Sequence, residues 1–270
     1  MLGLGVMGGS LACALAALAD PPHVTGWSPS AAERKAALEA GALAEAPSGW
    51  HEAAAGADLV VLAAPLRASC ALLTEVAAVT SAETTLSDVA SLKAPLARAA
   101  AEAGVSDRWV GSHPMAGSER SGFEASRGDL YQGARVWTVA APGAAARSGR
   151  VHSLWRSVGA RPEAIEAEAH DMLMARASHL PQLASNALAA VMANAGIVPE
   201  QLGPGGRDAT RLAASGPGLW RDLFEHASPE LAEGLHALAR EAERIAALLG
   251  AGDLDGLEEL MRSTRAWRQS

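Results

Sequence analysis

Hydrophobic residues in the first half of the chain fall into short runs separated by alanine-rich stretches with helical spacing. Five runs have the length and composition of β-strands, at residues 23–27, 57–65, 84–90, 108–114 and 134–142. Helical stretches such as 29–41 and 66–79 fall between them. Apolar strands that alternate with helices are typical of a parallel sheet covered on both faces. The pattern therefore predicts an α/β fold that binds its ligands at the carboxyl ends of the strands.

The pattern changes from about residue 166 onward, because strand-like runs disappear and long amphipathic stretches replace them. These helical stretches are residues 167–195, 206–226, 228–250 and 253–268. We therefore predict two domains, a sheet-containing domain over residues 1–165 and an all-helical domain over residues 166–270.

Composition narrows the class of protein. Of the 270 residues, 49% are hydrophobic and 19% are charged, as expected of a folded globular protein. The net charge is −8 and no basic cluster occurs, so we do not expect nucleic acid as a partner. Cys13 and Cys70 lie in apolar helical runs and predict no disulfide framework. Because no apolar run reaches ~18 residues, we predict no membrane helix and a cytoplasmic location.

A glycine-rich turn opens the chain. Gly3, Gly5 and Gly8 in GLGVMGGS match the pattern G-x-G-x-x-G and lead directly into a helical stretch. Such glycines let the backbone approach a pyrophosphate closely and let the helix pack on its strand. The sequence therefore predicts a Rossmann-type dinucleotide site. The predicted cofactor-binding residues are Gly3, Gly5, Val6, Met7 and Gly8 of this turn, with Ala64 and Pro65 at the end of a later strand.

The position that usually separates NAD⁺ from NADP⁺ lacks an acidic residue. Ser28, Pro29 and Ser30 follow the run 23–27, and Arg34 lies one helical turn further. Without a carboxylate nothing repels a 2′-phosphate, and Ser28, Ser30 and Arg34 have the chemistry to bind one. Arg34 fits a solvated helix position equally well. We predict that NADP⁺ is accepted, and NAD⁺ stays open.

Only Met1 and Leu2 precede the first glycine, although a Rossmann domain begins with a strand of ~5 apolar residues. We expect the first strand to be a stub of at most about two or three residues. We also expect the natural protein to carry several more apolar residues before Met1.

The stretch GSHPMAGSERSG, residues 111–122, places a histidine at the end of a predicted strand. A cofactor that accepts hydride requires a substrate carbon bearing a hydrogen and a hydroxyl, and a group that takes the hydroxyl proton. Histidine suits that role near neutral pH. Gly111 and Gly117 are expected to allow close approach of a substrate to His113.

Three other stretches carry polar residues suited to the same site. SDVASLK places Ser91 at the end of another strand, and ASHLPQLAS places His179 beside Pro181 within a helical stretch. Arg207 and Arg211 are four residues apart, which puts both on one face of a helix. Arginine is suited to bidentate recognition of a carboxylate. No metal site is predicted.

The motifs GLGVMGGSLA, DVASLK, GSHPMAGSERSG, HDMLMARASHLP and GPGGRDATRLAASGPGLWRDL together resemble those of the prephenate/arogenate dehydrogenase family. They occur in that family's order over nearly the whole chain. The resemblance implies an NAD(P)-dependent oxidative decarboxylation in tyrosine biosynthesis, acting on prephenate or on arogenate. It also implies a Rossmann domain followed by a helical dimerisation domain, a homodimer, and an active site between the two domains.

The resemblance also implies roles for individual residues. His113 accepts the hydrogen bond of the substrate hydroxyl, and Ser91 supports it. Arg211 binds a substrate carboxylate, with Arg207 nearby on the same helix. His179 lines the pocket, and Glu119 lies at its edge. With no regulatory or chorismate mutase segment in the chain, we expect a monofunctional enzyme.

Two rival functions are weaker. The β-hydroxyacid dehydrogenases share the glycine motif but use a catalytic lysine in their helical domain, whereas the lysines here are Lys35 and Lys93. A non-catalytic dinucleotide sensor is the second rival, and the set His113, Ser91, His179 and Arg211 disfavours it.

Overall fold

A computed structural model describes residues 1–118, 120–226 and 229–270 of the chain. The chain divides into two compact units. Unit 1 comprises Met1–Met174 and Ser215–Ala227, and unit 2 comprises Ala175–Ala214 and Ser228–Ser270. The domain boundary between residues 165 and 166 stays a prediction. In packing terms, the helix that follows this boundary belongs to unit 1.

Unit 1 contains a five-stranded sheet whose strands lie in sequence order. The strands are β1 (Leu59–Leu62), β2 (Thr85–Asp88), β3 (Trp109–Pro114), β4 (Arg135–Ala140) and β5 (Arg161–Ala164). The pairs β1–β2, β2–β3 and β4–β5 are parallel, whereas β3–β4 is antiparallel. The predicted parallel-sheet fold is confirmed, and β4 departs from it by running antiparallel to β3. Strand β5 was not predicted, because its residues RPEA are mostly polar and it pairs with β4 alone.

Unit 1 contains helices as well as the sheet, and the described part of unit 2 is helical. The helices are α1 (Val6–Ala16), α2 (Ala31–Glu39), α3 (Trp50–Ala54), α4 (Leu66–Val79), α5 (Ala94–Glu102), α6 (Ala145–Ser157), α7 (Ala167–Met174), α8 (Leu180–Asn194), α9 (Pro204–Thr210), α10 (Pro217–Glu225), α11 (Pro229–Ala251) and α12 (Leu254–Gln269). Within the residues that the structure describes, none is both long and apolar enough to cross a bilayer.

The first strand is a single-residue stub, as expected from the two residues before the glycine turn. Leu2 forms parallel bridges to Trp27 on one side and to Leu62 on the other. The predicted strand 23–27 is also reduced to isolated bridges, at Thr25 and Trp27. Because the first strand offers only Leu2 as a partner, residues 23–27 cannot form a continuous ladder of hydrogen bonds with it.

The apolar core of unit 1 lies on both faces of the sheet. Successive residues of β1 point to opposite faces, so that Val61 joins one cluster while Val60 and Leu62 join the other. Trp155 and Trp109, both fully buried, pack in the first and second cluster respectively. The edge of the sheet that carries the ends of β1 and β2 is thereby held by a packed core.

Unit 2 consists of helices whose few buried positions are partly polar. Gln182 donates through Nε2 to the carbonyl of Leu212 at 2.7 Å, and Ser185 Oγ accepts from the N–H of Ala213 at 3.2 Å. The predicted helix 167–195 is interrupted by a π-helical turn at Ala175–His179. Pro181 has no N–H to donate to the carbonyl four residues earlier, which explains why the regular ladder breaks there.

Candidate active site

The glycine turn has the geometry that a dinucleotide site requires. Gly3 has φ +111°, and a Cβ there would lie 2.3 Å from the carbonyl oxygen of Ala63. A Cβ on Gly8 would lie 2.0 Å from the carbonyl oxygen of Gly3. Gly5 caps α1 and has open space where its Cβ would be. Gly3 and Gly8 thus shape the turn, and Gly5 leaves its surface accessible to a ligand.

A cleft of about 410 Å³ adjoins this turn. It is lined by eight of the residues predicted from the sequence, namely Gly5, Val6, Met7, Ala64, Pro65, Ser91, His113 and Gly117. Arg120 also lines the cleft and was not predicted, because a single arginine in a polar loop carries no distinctive spacing. The cleft therefore combines a cofactor turn, a histidine, a serine and a cation within unit 1.

His113 is held by residues that sequence reasoning missed. It lies near the end of β3, opposite Trp137. Its Nδ1 is 2.9 Å from Nε2 of His170, and Nδ1 of His170 is 2.7 Å from a carboxylate oxygen of Asp171. His170 and Asp171 were read as part of an amphipathic helix. His170 is 57 residues from His113 in sequence, so no local pattern linked the two.

A buried ion pair lies beneath the site. Lys93 Nζ bonds Oδ1 of Asp88, and it also donates to the carbonyl of Ser112 at 2.6 Å. Both charged side chains are completely buried. Burial raises the pKa of Asp88 and lowers the pKa of Lys93, because each charge loses its hydration, while their attraction opposes both shifts. The pair joins the loop that carries Ser91 to the strand that carries His113.

Gly111 has a packing role rather than the predicted substrate-facing one. A Cβ at this position would lie 2.4 Å from the ring of Trp109, whose Nε1 donates to Asp88 at 3.0 Å. Gly117, in contrast, lines the cleft and has open space around its Cβ position. Only Gly117 fits the expectation that glycine allows close approach of a substrate.

The corner predicted to bind the adenosine end contains a carboxylate after all. Ser28 is buried, and its Oγ donates to Oε2 of Glu33 at 2.5 Å. Glu33 also donates its N–H to Oγ of Ser30, the N-cap of α2. Arg34 donates to the carbonyl of Ser28 at 2.5 Å. The premise that no carboxylate lies at this corner is therefore wrong, because Glu33 reaches it from the helix rather than from the strand end.

The only tyrosine of the chain supports the glycine turn. Tyr131 is fully buried, and its hydroxyl donates to the carbonyl of Met7 at 2.6 Å. Burial raises the pKa of Tyr131 above its usual value, so the hydroxyl stays a donor. This contact spans 124 residues in sequence, which explains why no pattern indicated it.

The remaining predicted residues belong to unit 2 or lie outside the described residues. His179 is buried at the end of the π-helical turn. Arg207 lies in α9, but Arg211 begins a 3₁₀ segment, Arg211–Ala214, so the one-face argument fails beyond Thr210. Both arginines are exposed within unit 2. Glu119 falls outside the described residues.

Comparison with known families bears directly on this arrangement. Residues 11–163 match the model of the prephenate dehydrogenase nucleotide-binding domain, and residues 166–263 match that of the prephenate dehydrogenase dimerization domain. The chain belongs to the prephenate dehydrogenase family. Family membership confirms the resemblance inferred from the motifs, and with it the nucleotide-binding Rossmann fold followed by a helical domain.

Individual members of the family align over almost the entire chain. A prephenate dehydrogenase of Bacillus subtilis is 27% identical, covering 99% of this chain and 74% of that protein. A cyclohexadienyl dehydrogenase of Zymomonas mobilis is also 27% identical, covering 99% of this chain and 94% of that protein. The crystal structure of the A. aeolicus prephenate dehydrogenase, bound to hydroxyphenyl propionate and NAD⁺, superposes with a TM-score of 0.90 at 25% identity. It covers 99% of this chain and 96% of the other.

Proposed function

We propose that this dehydrogenase catalyses the NAD(P)-dependent oxidative decarboxylation of prephenate to 4-hydroxyphenylpyruvate in tyrosine biosynthesis. The observation that carries the proposal is the cleft in which Ser91 and His113 lie beside the glycine turn. The relatives named prephenate dehydrogenase support this substrate. Arogenate, which would give tyrosine directly, is the alternative, because it differs from prephenate only in an amino group where prephenate has a keto group.

The glycine turn fits a nicotinamide dinucleotide. The first N–H groups of α1 have no carbonyl partner within the helix, and Gly5 leaves room for a pyrophosphate to approach them. Gly5, Val6 and Met7 would hold this group, and Ala64 and Pro65 line the same cleft. When bound, the nicotinamide supplies the hydride acceptor. The bound NAD⁺ of the A. aeolicus enzyme supports this assignment.

His113 handles the proton of the reaction. The substrate ring carries a hydroxyl on the carbon that loses hydride, and a carboxylate on the opposite carbon. His113 takes the hydroxyl proton as hydride leaves, which forms a carbonyl at that carbon. The carboxylate then leaves as carbon dioxide, and its bonding electrons make the ring aromatic. His113 returns the proton to the resulting phenolate oxygen, so that no proton is gained or lost overall.

Several other residues bind or orient the substrate in this proposal. Ser91, which lines the same cleft as His113, supports the orientation of the substrate hydroxyl. By the family resemblance, Arg211 pairs with a substrate carboxylate, Arg207 adds positive charge, and His179 and Glu119 contribute to substrate binding. If Arg211 has this role, Arg211→Ala should raise KM by the equivalent of about 2–3 kcal/mol with a smaller change in kcat. An unchanged KM with a collapsed Tm would indicate a structural role instead.

We also propose that the enzyme is a homodimer formed through unit 2. The match of residues 166–263 to a dimerization domain supports this. Large apolar side chains on the outer surface of unit 2 are consistent with a covered face, and they include Val191, Leu249, Leu254, Met261 and Trp267.

Purified protein tested with each substrate and each cofactor decides the proposed reaction. Prephenate and arogenate are each combined with NAD⁺ and NADP⁺, and reduced nicotinamide is followed by absorbance together with released carbon dioxide. With prephenate, we expect equal molar amounts of reduced nicotinamide and carbon dioxide. Activity with arogenate alone would select the alternative, and no turnover in any of the four mixtures would refute the proposed function.

A further inference from the structure

The tautomer of His113 determines whether it can accept a proton from the substrate. A neutral imidazole carries hydrogen on one nitrogen only, and the other nitrogen is the acceptor. Nδ1 of His113 and Nε2 of His170 are 2.9 Å apart, with the ring centroids at 5.1 Å and the planes 76° apart. Two nitrogens at this distance share one hydrogen, so one must donate and the other must accept.

Asp171 decides which nitrogen donates. Nδ1 of His170 lies 2.7 Å from Oδ1 of Asp171. A carboxylate has no hydrogen to give, so Nδ1 of His170 carries the hydrogen. Nε2 of neutral His170 is then an acceptor, and Nδ1 of His113 donates to it. The hydrogen of His113 is therefore on Nδ1, which makes Nε2 the nitrogen that accepts a proton.

The orientation of Asp171 is itself fixed by the backbone. The N–H of Lys93 donates to Oδ1 at 2.8 Å, and the N–H of Ala94 donates to Oδ2 at 2.9 Å. These amides stand at the start of α5, where a negative charge is favoured. His170 is completely buried, and the side chain of Asp171 is 14% exposed. Neither ring nor carboxylate can turn without leaving a buried polar atom unsatisfied.

We propose that His170 and Asp171 are positioning residues that hold His113 in its Nδ1–H tautomer and stabilise the imidazolium formed when it takes a proton. The inference rests on the proposed function for the source of that proton. The tautomer, however, is a property of the resting protein. A merely structural role for Asp171, docking α7 on α5, would leave the protonation of His113 unchanged in its variants.

Nitrogen NMR of ¹⁵N-histidine-labelled protein tests the tautomer without any substrate. The signals of His113 are assigned by their disappearance in His113→Asn. We expect a protonated Nδ1 and an unprotonated Nε2 in the wild type. Asp171→Asn should show a larger share of the reverse tautomer, because asparagine leaves one acceptor oxygen for His170 and the two backbone amides. A wild-type Nε2–H tautomer, or the same proportions of the two tautomers in both proteins, overturns the inference.

Kinetic measurements on His170 variants keep the test decisive if Asp171→Asn fails to fold. His170→Phe removes the nitrogen that accepts from Nδ1 of His113. It should lower kcat about 10²-fold with KM for the cofactor unchanged, because His113 is then no longer held in the tautomer that accepts the substrate proton. His170→Gln restores an acceptor oxygen and should regain most of kcat. Equal kcat in wild type, His170→Phe and His170→Gln overturns the inference. If the wild type turns over neither substrate but shows the Nδ1–H tautomer, the proposed function fails and the tautomer assignment stands.

Discussion

The two units of this enzyme bury different kinds of residue. Unit 1 packs its large apolar side chains on both faces of the sheet and buries the ion pair of Asp88 and Lys93 beneath the cleft. In unit 2 the buried positions include the polar side chains of Gln182 and Ser185, whereas Trp267 on α12 is 78% exposed. A unit that completes its own core is expected to hold a precise site, and one that exposes apolar surface is expected to need a partner.

The largest loss of stability is expected when the buried ion pair of Asp88 and Lys93 in unit 1 is broken. Lys93→Met leaves Asp88 as an unpaired buried charge, which should lower the free energy of unfolding by about 3–5 kcal/mol. Urea denaturation followed by circular dichroism measures this change. The double variant Asp88→Asn/Lys93→Met should recover part of the loss. A Lys93→Met protein as stable as the wild type would contradict the claim that this pair supports the site.

A change on the surface of unit 2 should act on assembly rather than on the fold. Leu254 and Met261 are 73% and 71% exposed and lie seven residues apart, on one face of α12. Replacing each by glutamate should weaken dimerisation by about 2 kcal/mol per side chain buried at the interface. Analytical ultracentrifugation reports the shift, with Ser263→Glu on the same helix as the matched control. An unchanged dimer would place the interface elsewhere on unit 2.

Within unit 1, the preference between NADP⁺ and NAD⁺ tests the role of Glu33. The Glu33 carboxylate beside Ser28 should repel a 2′-phosphate, so Glu33→Gln should raise the ratio of kcat/KM for NADP⁺ over NAD⁺ about tenfold, equivalent to ~1.4 kcal/mol. Ser28→Asp should lower that ratio. Glu39→Gln, an exposed carboxylate on the same helix, serves as the control. A ratio that does not change in Glu33→Gln would show that Glu33 serves only to cap α2.

The smallest effect concerns the support of the glycine turn. Tyr131→Phe removes the hydrogen bond to the carbonyl of Met7 and should reduce stability by about 1 kcal/mol. Because Met7 lines the cleft, KM for the cofactor should rise modestly while kcat stays close to normal. Thermal unfolding and cofactor titration measure the two quantities. A larger loss in kcat than in cofactor affinity would mean that Tyr131 acts on the chemistry.

Local sequence patterns predicted the elements whose own hydrophobic or glycine spacing is distinctive. The continuous apolar run at 57–65 correctly indicated β1, the short β-type run at 84–90 indicated β2, and the glycine spacing indicated the turn before α1. Strand β5 was missed because its side chains are polar and its pairing depends on β4. The predicted strand at 23–27 forms only isolated bridges in the structure, because the neighbouring first strand is a single residue.

The candidate site was predictable where function requires an unusual residue in a loop or strand. His113 and Ser91 stood out for that reason, and the structure brings both to one cleft. His170, Asp171 and Glu33 did not, because each fits an ordinary helix in sequence. Their importance arises from contacts with His113, with the start of α5 and with Ser28, and such contacts exist only once the chain has folded.

The central claim, that His113 in the cleft of unit 1 carries the chemical step, is tested most directly by His113→Asn. Single-turnover and steady-state assays with prephenate should show kcat lowered by about 10²-fold or more, with the affinity for the reduced cofactor unchanged. His236→Asn, an exposed histidine in unit 2, should behave as the wild type. A His113→Asn enzyme with nearly normal kcat would contradict the account.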